Sequence, residues 1–538
     1  MLALRQSFDP WSASVIALAI LIFCPILSLV YLSFGDSEGL WLHLIDSVLT
    51  RYVTNTLLLM LGVGAITLIF GVTTAWIVAA YQFRFSKLLD MVILLPIACP
   101  AYLVAYAYTD FFEYAGPVQG ALRDLMGWKT ARDYYFPEIR SLGGAIFVMA
   151  SVLYPYVYLL ARTAFRHIPA SFYEVAMISN RNVFWNICLP LARPAIVAGL
   201  ALVCMEVVSD FGTVEFFSLE TLTLGIFNVW IGMNNITAAA QISTFTFIFI
   251  ILLLIVEMYS RSQKRFNDTS KKQTVSQPKL VGGFKAVLLY FICLIPVVFG
   301  FLTPVSILLW NVVKSVNVTD FLAVLGVLQN SLFIAGSGAA LIMFSAVFVA
   351  SSANFNGGRF IAVVGHLSAT GYAFPGTMLA IGVLVFLGFV DRGFASLTSG
   401  FGGFYMSGTL LALLFAYLVR FQAVGYGAVS SGLTTIPPNL ILCSRSLGMT
   451  SQTTMRRITI PLIKNSIIAG GVLAFVDIMK ELPMTLLLRP FDFETLATYS
   501  YQFAHDELME QASLPALMII VVGLIPVVFL NRLLRAYD

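Results

Sequence analysis

Four carboxylates sit where the sequence is otherwise apolar. Glu206 and Asp210 close one hydrophobic run, and Asp477 and Glu481 close another, 271 residues further on. A spacing of four places both members of a pair on one helix face, a turn apart. Carboxylate oxygens suit a hard cation such as a ferric ion. The same groups also serve as hydrogen-bonded struts between helices or as the closure of an external gate. An acid at lipid depth needs a partner or a wet cavity, so all four are expected to face a bundle interior. Lys480 and Arg489 stand beside the second pair and can neutralise it or contact a partner protein. Glu494, Asp506, Glu507 and Glu510 read as an outer docking surface. Other chemistry finds no support. Cys24, Cys99, Cys188, Cys204, Cys293 and Cys443 form no C-x-x-C, and His43, His167, His366 and His505 never fall near them in sequence, which argues against zinc or redox work. No H-E-x-x-H, Walker A loop or serine-centred nucleophile motif occurs, so no catalytic, cofactor-binding or metal residue is assigned.

The elements that must position these acids are membrane helices. The chain has 538 residues, 59% hydrophobic and only 11% charged, where soluble domains carry roughly a quarter charged residues. Mean hydropathy is +0.90. Apolar stretches long enough to cross a bilayer of roughly 30 Å recur along the whole length. We read twelve spans, near 13–34, 56–80, 88–108, 142–161, 194–210, 239–258, 285–310, 330–353, 361–389, 403–419, 465–479 and 515–531. The fold class is therefore all-α and polytopic. With both termini inside, 22 of the 31 basic residues, Arg162 and Arg420 among them, fall in inward loops and tails, as the positive-inside rule requires. That scatter explains the net charge of +4 better than nucleic-acid binding does. Residues 259–284, rich in Lys, Gln, Ser and Thr, read as a cytoplasmic linker between halves 1–258 and 285–538.

The halves repeat one another. Asn55-Thr56-Leu57 meets Asn330-Ser331-Leu332 and Pro100 meets Pro375, both at an offset of 275. Leu189-Pro190-Leu191 meets Ile460-Pro461-Leu462 at 271, and Glu220-Thr221-Leu222 meets Glu494-Thr495-Leu496 at 274. Six spans per copy is even, so the repeat is parallel and two facing bundles leave a central pathway.

One inward loop in each half is long, about 162–193 and 420–464. The first contains Tyr173-Glu174-Val175-Ala176 and ends in Leu189-Pro190-Leu191-Ala192-Arg193. The second contains Arg445-Ser446-Leu447-Gly448, then Arg456-Arg457-Ile458-Thr459-Ile460-Pro461. Both are amphipathic, as suits a short helix lying against a partner. Gly448 fits a helix end with positive φ, and Pro190 and Pro461 fit the first turn of the next helix. These loops resemble those of permease subunits of binding-protein-dependent ABC importers, whose signature is Glu-Ala-Ala, three residues, Gly, nine residues, then Ile-x-Leu-Pro. Glu174 and Ala176 match its front, but Pro190 follows three residues too early and Asn180 replaces the Gly. In the second copy Gly448 and Pro461 keep the spacing while Leu442, Cys443 and Ser444 replace the Glu and both Ala. More narrowly, Val207-Val208-Ser209-Asp210-Phe211-Gly212 and Phe475 to Pro490 resemble the fused permeases of bacterial ferric iron importers.

The resemblance implies a type I ABC importer permease fold, a bacterial inner-membrane location, and a chain that is not itself an enzyme. The implied partners are a cytoplasmic ABC ATPase homodimer, a periplasmic iron(III)-binding protein, membrane lipid and ferric iron as cargo. Fused permeases for thiamine or another small solute are relatives of that group, and an ion-coupled secondary transporter is the alternative from a different class.

Overall fold

Lipid offers backbone groups no hydrogen bonds, so an apolar chain crosses it as helix. The computed structural model of the protein describes residues 10–179, 182–262, 278–317, 320–355, 359–397 and 405–537. Arg5, Asn180, Arg181, Lys271 and most of the 259–284 linker lie outside the described residues, as do the Glu174 and Arg445 side chains. Among the described residues eleven helices are long and apolar enough to span a bilayer, and a bent pair of helices makes twelve if it counts as one span.

Three expected spans take a different form. The third breaks into Ser86–Val92, a tight turn at Leu95–Ala98 and Ala101–Phe112, and the chain turns through 85° there. The cause is local: proline disfavours helix at the residue before it, so Cys99 is extended ahead of Pro100. The ninth breaks at the matching place, where Phe374 is extended ahead of Pro375 between Arg359–Ser368 and Gly376–Leu397. The tenth, expected to stop before Arg420, runs instead from Leu410 to Thr434. Arg420 is an intramembrane residue paired with an acid, so charge misplaced the boundary. Arg162 likewise lies inside a helix, Leu142–Arg166.

Two compact units emerge, and each draws on both halves of the sequence. The first comprises residues 1–42, 226–244 and 320–501. In it span 1, Pro10–Ser33, packs on Arg359–Ser368 and Gly376–Leu397, with Gly382 lying against the Pro25 carbonyl. Val15, Ala346, Tyr426, Val429 and Ile463 belong to its core. The second comprises residues 43–225, 245–319 and 502–538. Here span 7 (283–315) lies over Leu142–Arg166, where Gly300 meets the Ser151 carbonyl and Tyr108 Oη donates to the Phe299 carbonyl. The first span of each half therefore packs on helices of the other half.

Small residues let the long helices approach one another. In the second unit Val157 is flanked by Gly71 and Gly199; a Cβ on either would lie 2.7 and 2.9 Å from Val157 atoms. In the first unit the corresponding glycine is on the other side of the contact, where a Cβ on Gly425 would come within 3.0 Å of Ala346. Three of the π-helical turns, at Phe184–Cys188, Val298–Leu302 and Met455–Thr459, end two residues before Pro190, Pro304 and Pro461. A proline ring crowds the carbonyl four residues back and cannot bond it, and widening the turn by one residue accommodates that.

Candidate functional site

The four acids identified from sequence all lie where a long helix ends and the chain turns. Glu206 occupies the last turn of Leu189–Ser209, and Asp210 follows as its C-cap. The Asp210 carboxylate reaches forward, accepting from the Thr213 and Val214 amides at 3.0 and 3.2 Å and the Thr213 hydroxyl at 3.1 Å. It thus caps the short helix Gly212–Phe216, whose first amides would otherwise lack partners. The second half repeats the device with one change. Glu481 Oε1 accepts from the Met484 amide at 3.1 Å, at the head of Pro483–Leu488, and also from Arg420 Nη1 at 3.1 Å. That pair is buried, Arg420 11% and Glu481 6% exposed. Asp477 pairs with Lys480 at 2.8 Å, as the neighbouring lysine suggested. Glu481 thus bonds between helices through Arg420, whereas the Asp210 bonds to Thr213 and Val214 are local caps. Glu206 and Asp477 are half-buried, and among the described residues no three His, Cys, Asp or Glu side chains form a metal-holding group.

The tripeptides that revealed the repeat turn out to touch one another. In the second unit Asn55 Nδ2 donates to the Glu220 carbonyl at 3.0 Å, and the Leu222 amide donates to Thr56 Oγ1 at 3.1 Å. In the first unit Asn330 Nδ2 donates to the Glu494 carbonyl at 3.3 Å, and the Leu496 amide donates to Ser331 Oγ at 2.7 Å. These contacts were missed as a site, although the shared offset of two distant tripeptides was a signal for them. Ion pairs differ around this frame: Arg51 meets Glu220, whereas Arg489 meets Glu494. Glu494, read as part of an outer docking surface, also accepts from the Thr498 hydroxyl at 2.7 Å.

At the opposite end of each fifth helix lie the long loops. Each opens with a nine-residue helix after proline, Ala170–Ile178 and Pro438–Ser446. Gly448 has φ +79° and ends the second of these. The Met449 amide bonds the Ser444 carbonyl at 3.2 Å, the six-to-one bond of a Schellman end. Thr450 then caps the next helix through the Thr453 amide, and Ser444 Oγ lies 2.7 Å from Thr454 Oγ1, tying the two helices together. In the first loop Asn182 is the cap, bonding the Phe184 and Trp185 amides at 3.0 and 3.3 Å. Asn182 stands eight residues before Pro190 and Thr450 eleven before Pro461. The three-residue difference falls at Ser451–Thr454 of the second loop, where the first has Val183 alone.

A buried charge cluster near the first loop was also missed. Tyr158 and Arg162 both donate to Asp90, and Arg166 lies 3.5 Å from the same carboxylate. Arg162 is 3% exposed and Asp90 10%. Asp90 and Arg162 are 72 residues apart, so neither announces the other. At the matching places in the second half, Gly365 faces Tyr426, whose hydroxyl would lie 3.0 Å from a Cβ on that glycine.

The chain is similar in sequence to known proteins. The model of the family described as binding-protein-dependent transport system inner membrane component matches residues 68–268 and again 342–538, starts that differ by 274. The Fe(3+)-transport system permease protein FbpB 2 of Haemophilus influenzae is 24% identical over 501 residues, 90% of each chain. The ferric transport system permease protein FbpB of Actinobacillus pleuropneumoniae is 23% identical over 483 residues, 85% of this chain and 67% of its own. A putative 2-aminoethylphosphonate transport system permease protein, PhnU of Salmonella typhi, is 27% identical over 244 residues, 43% of this chain and 82% of its own. With both copies of the family model matched across most of its length, the chain belongs to the binding-protein-dependent transport system inner membrane components.

Proposed function

We propose that the chain is the double-length permease of an ATP-driven importer that moves iron(III) from periplasm to cytoplasm. The observation that carries this reading is the extent of the similarity to ferric permeases, which runs through both halves, whereas the aminoethylphosphonate relative aligns with less than half of the chain. Residues 1–258 and 285–538 are the two permease repeats, joined by the 259–284 linker. Both termini and both long loops are cytoplasmic: withdrawing Arg162 and Arg420 from the inward set still leaves 20 basic residues against 9. A cytoplasmic ATPase homodimer receives one loop per subunit, and a periplasmic binding protein delivers the ferric ion. Closure of the ATPase dimer then biases the bundles between two access states.

Proteoliposomes holding the chain with its ATPase should take up iron(III) when given a ferric-loaded binding protein and ATP. Thiamine or 2-aminoethylphosphonate, presented on their own binding proteins, should not enter. Uptake of either in place of iron would overturn the substrate assignment. In the same vesicles Glu206→Gln with Asp477→Asn should lower iron uptake while leaving subunit assembly and ATP hydrolysis largely intact; normal uptake with normal assembly would remove the charge from the pathway.

The coupling reading makes a separate demand on Gly448. A Cβ there meets nothing within 4 Å, so any penalty is backbone strain, about 1–3 kcal/mol for a β-branched residue held at positive φ. Gly448→Val is expected to lower binding-protein-stimulated ATP hydrolysis several-fold. Gly448→Asn, which tolerates that conformation, should be close to wild type. Unchanged stimulation in the valine variant would free the turn of any coupling role.

A further inference from the structure

Each half fastens the segment that follows its acid-ended helix to the head of its second span through the same two hydrogen bonds. Leu222 and Leu496 begin the helices Leu222–Phe227 and Leu496–His505. Both helices already carry a local cap: Thr221 Oγ1 accepts from the Leu224 amide and Thr495 Oγ1 from the Thr498 amide. To this each half adds two bonds from a distant helix, the Asn side chain to the Glu carbonyl and the Leu amide to the hydroxyl. The hydroxyl is committed to the accepting role. Thr56 donates to the Tyr52 carbonyl at 2.7 Å and Ser331 to the Val327 carbonyl at 2.9 Å, which turns their lone pairs outward. All four members of the hydroxyl–leucine pairs are at most 3% exposed, so water does not compete for these bonds.

We propose that Asn55, Thr56, Asn330 and Ser331 are positioning residues that join each returning segment to the long helix beside it, Thr50–Ala80 or Phe321–Phe355, as one rigid lever during transport. The acid-capped helices Gly212–Phe216 and Pro483–Leu488 lie at the near end of those segments and travel with the levers. Two features support a role in motion and not in folding alone. The bonds add to a local cap in each helix, and the same bonds recur in both halves although the surrounding ion pairs differ. The inference rests on the permease reading and specifies how that machine keeps its parts in register.

The decisive experiment freezes the contact in assembled protein. In a cysteine-free background, Arg51→Cys and Glu220→Cys replace an ion pair whose side chains are 58% and 37% exposed. A short, reducible bifunctional thiol reagent then bridges them after reconstitution with the ATPase and binding protein. A lever that moves as one body keeps its iron uptake when bridged. Uptake that stops on bridging and returns on reduction would overturn the proposal. A second arm breaks the bonds: Thr56→Val with Ser331→Ala removes one buried acceptor from each half and should lower uptake per ATP hydrolysed by about fivefold for each bond lost. Exchanging the hydroxyls, Thr56→Ser with Ser331→Thr, should restore the wild-type ratio, and a normal ratio in the Val/Ala variant would count against the lever. Wild-type vesicles separate the two readings. Their failure to import would strike the permease assignment, whereas normal import with a blocked, bridged variant strikes only the lever.

Discussion

Asp90→Ala should remove most of the folded protein from detergent extracts. The substitution leaves Arg162, 3% exposed, with its charge buried and its carboxylate partner gone, and deprives the Tyr158 hydroxyl of its acceptor. Breaking a buried pair by deleting one member typically costs about 3–5 kcal/mol, because the survivor remains desolvated. At 1.4 kcal/mol per decade that is roughly a hundredfold to several-thousandfold change in the folding equilibrium. Arg166 lies 3.5 Å from the carboxylate and is 27% exposed, so it can turn to water and rescue little. An apolar replacement of the whole cluster, Asp90→Leu with Arg162→Met and Tyr158→Phe, should recover much of the loss, since well-packed apolar groups often match a buried ion pair. Thermal midpoint and monodisperse yield measure both. If Asp90→Ala alone melts like the wild type, the cluster carries no net stability.

The second large effect concerns Arg420. Its guanidinium meets Glu481 deep in the tenth span, and Gly376 leaves the room: a Cβ there would overlap Arg420 and approach Glu481 Oε1 to 2.9 Å. Arg420→Leu is therefore expected to cost about as much as the Asp90 change, again about 3–5 kcal/mol. Glu481→Gln is milder, because the amide oxygen still accepts from the Met484 amide and from Arg420; losing charge from that bond costs about 1–3 kcal/mol. Asp210→Asn should be mildest of the three, about 0.5–2 kcal/mol, the range of a cap, because its carboxylate accepts from backbone amides at the head of a helix. Melting midpoints ranked in any other order would show that the capped helices do not differ in the way their partners suggest.

How these residues read from sequence depended on the range of the contact involved. Apolar run length located the spans because each helix satisfies its own backbone. The repeat was visible in short tripeptides, and Pro100 and Pro375, matched only as letters, mark the breaks in spans three and nine. Gly448 was readable because a helix end is local. Arg420 misled because a single charge in an apolar run resembles a loop anchor until its partner 61 residues away is known. Asp90 passed unnoticed for the same reason. The missing turn of the first loop was countable from Pro190, but only the caps at Asn182 and Thr450 show which turn it is.

The exchanged glycines at the helix crossings also bear on the history of the gene. Recombination between two copies of a duplicated sequence tends to make them alike. A crossover between the codons for positions 71 and 157 would join Ala346 to Val157 in one product and Gly71 to Gly425 in the other. The first pairing sets a methyl where a Cβ would lie 2.7 Å from the valine, and the second leaves a void between backbones. Either product is expected to pack less well than the parent halves, so the complementary sizes would disfavour exchange between the two copies.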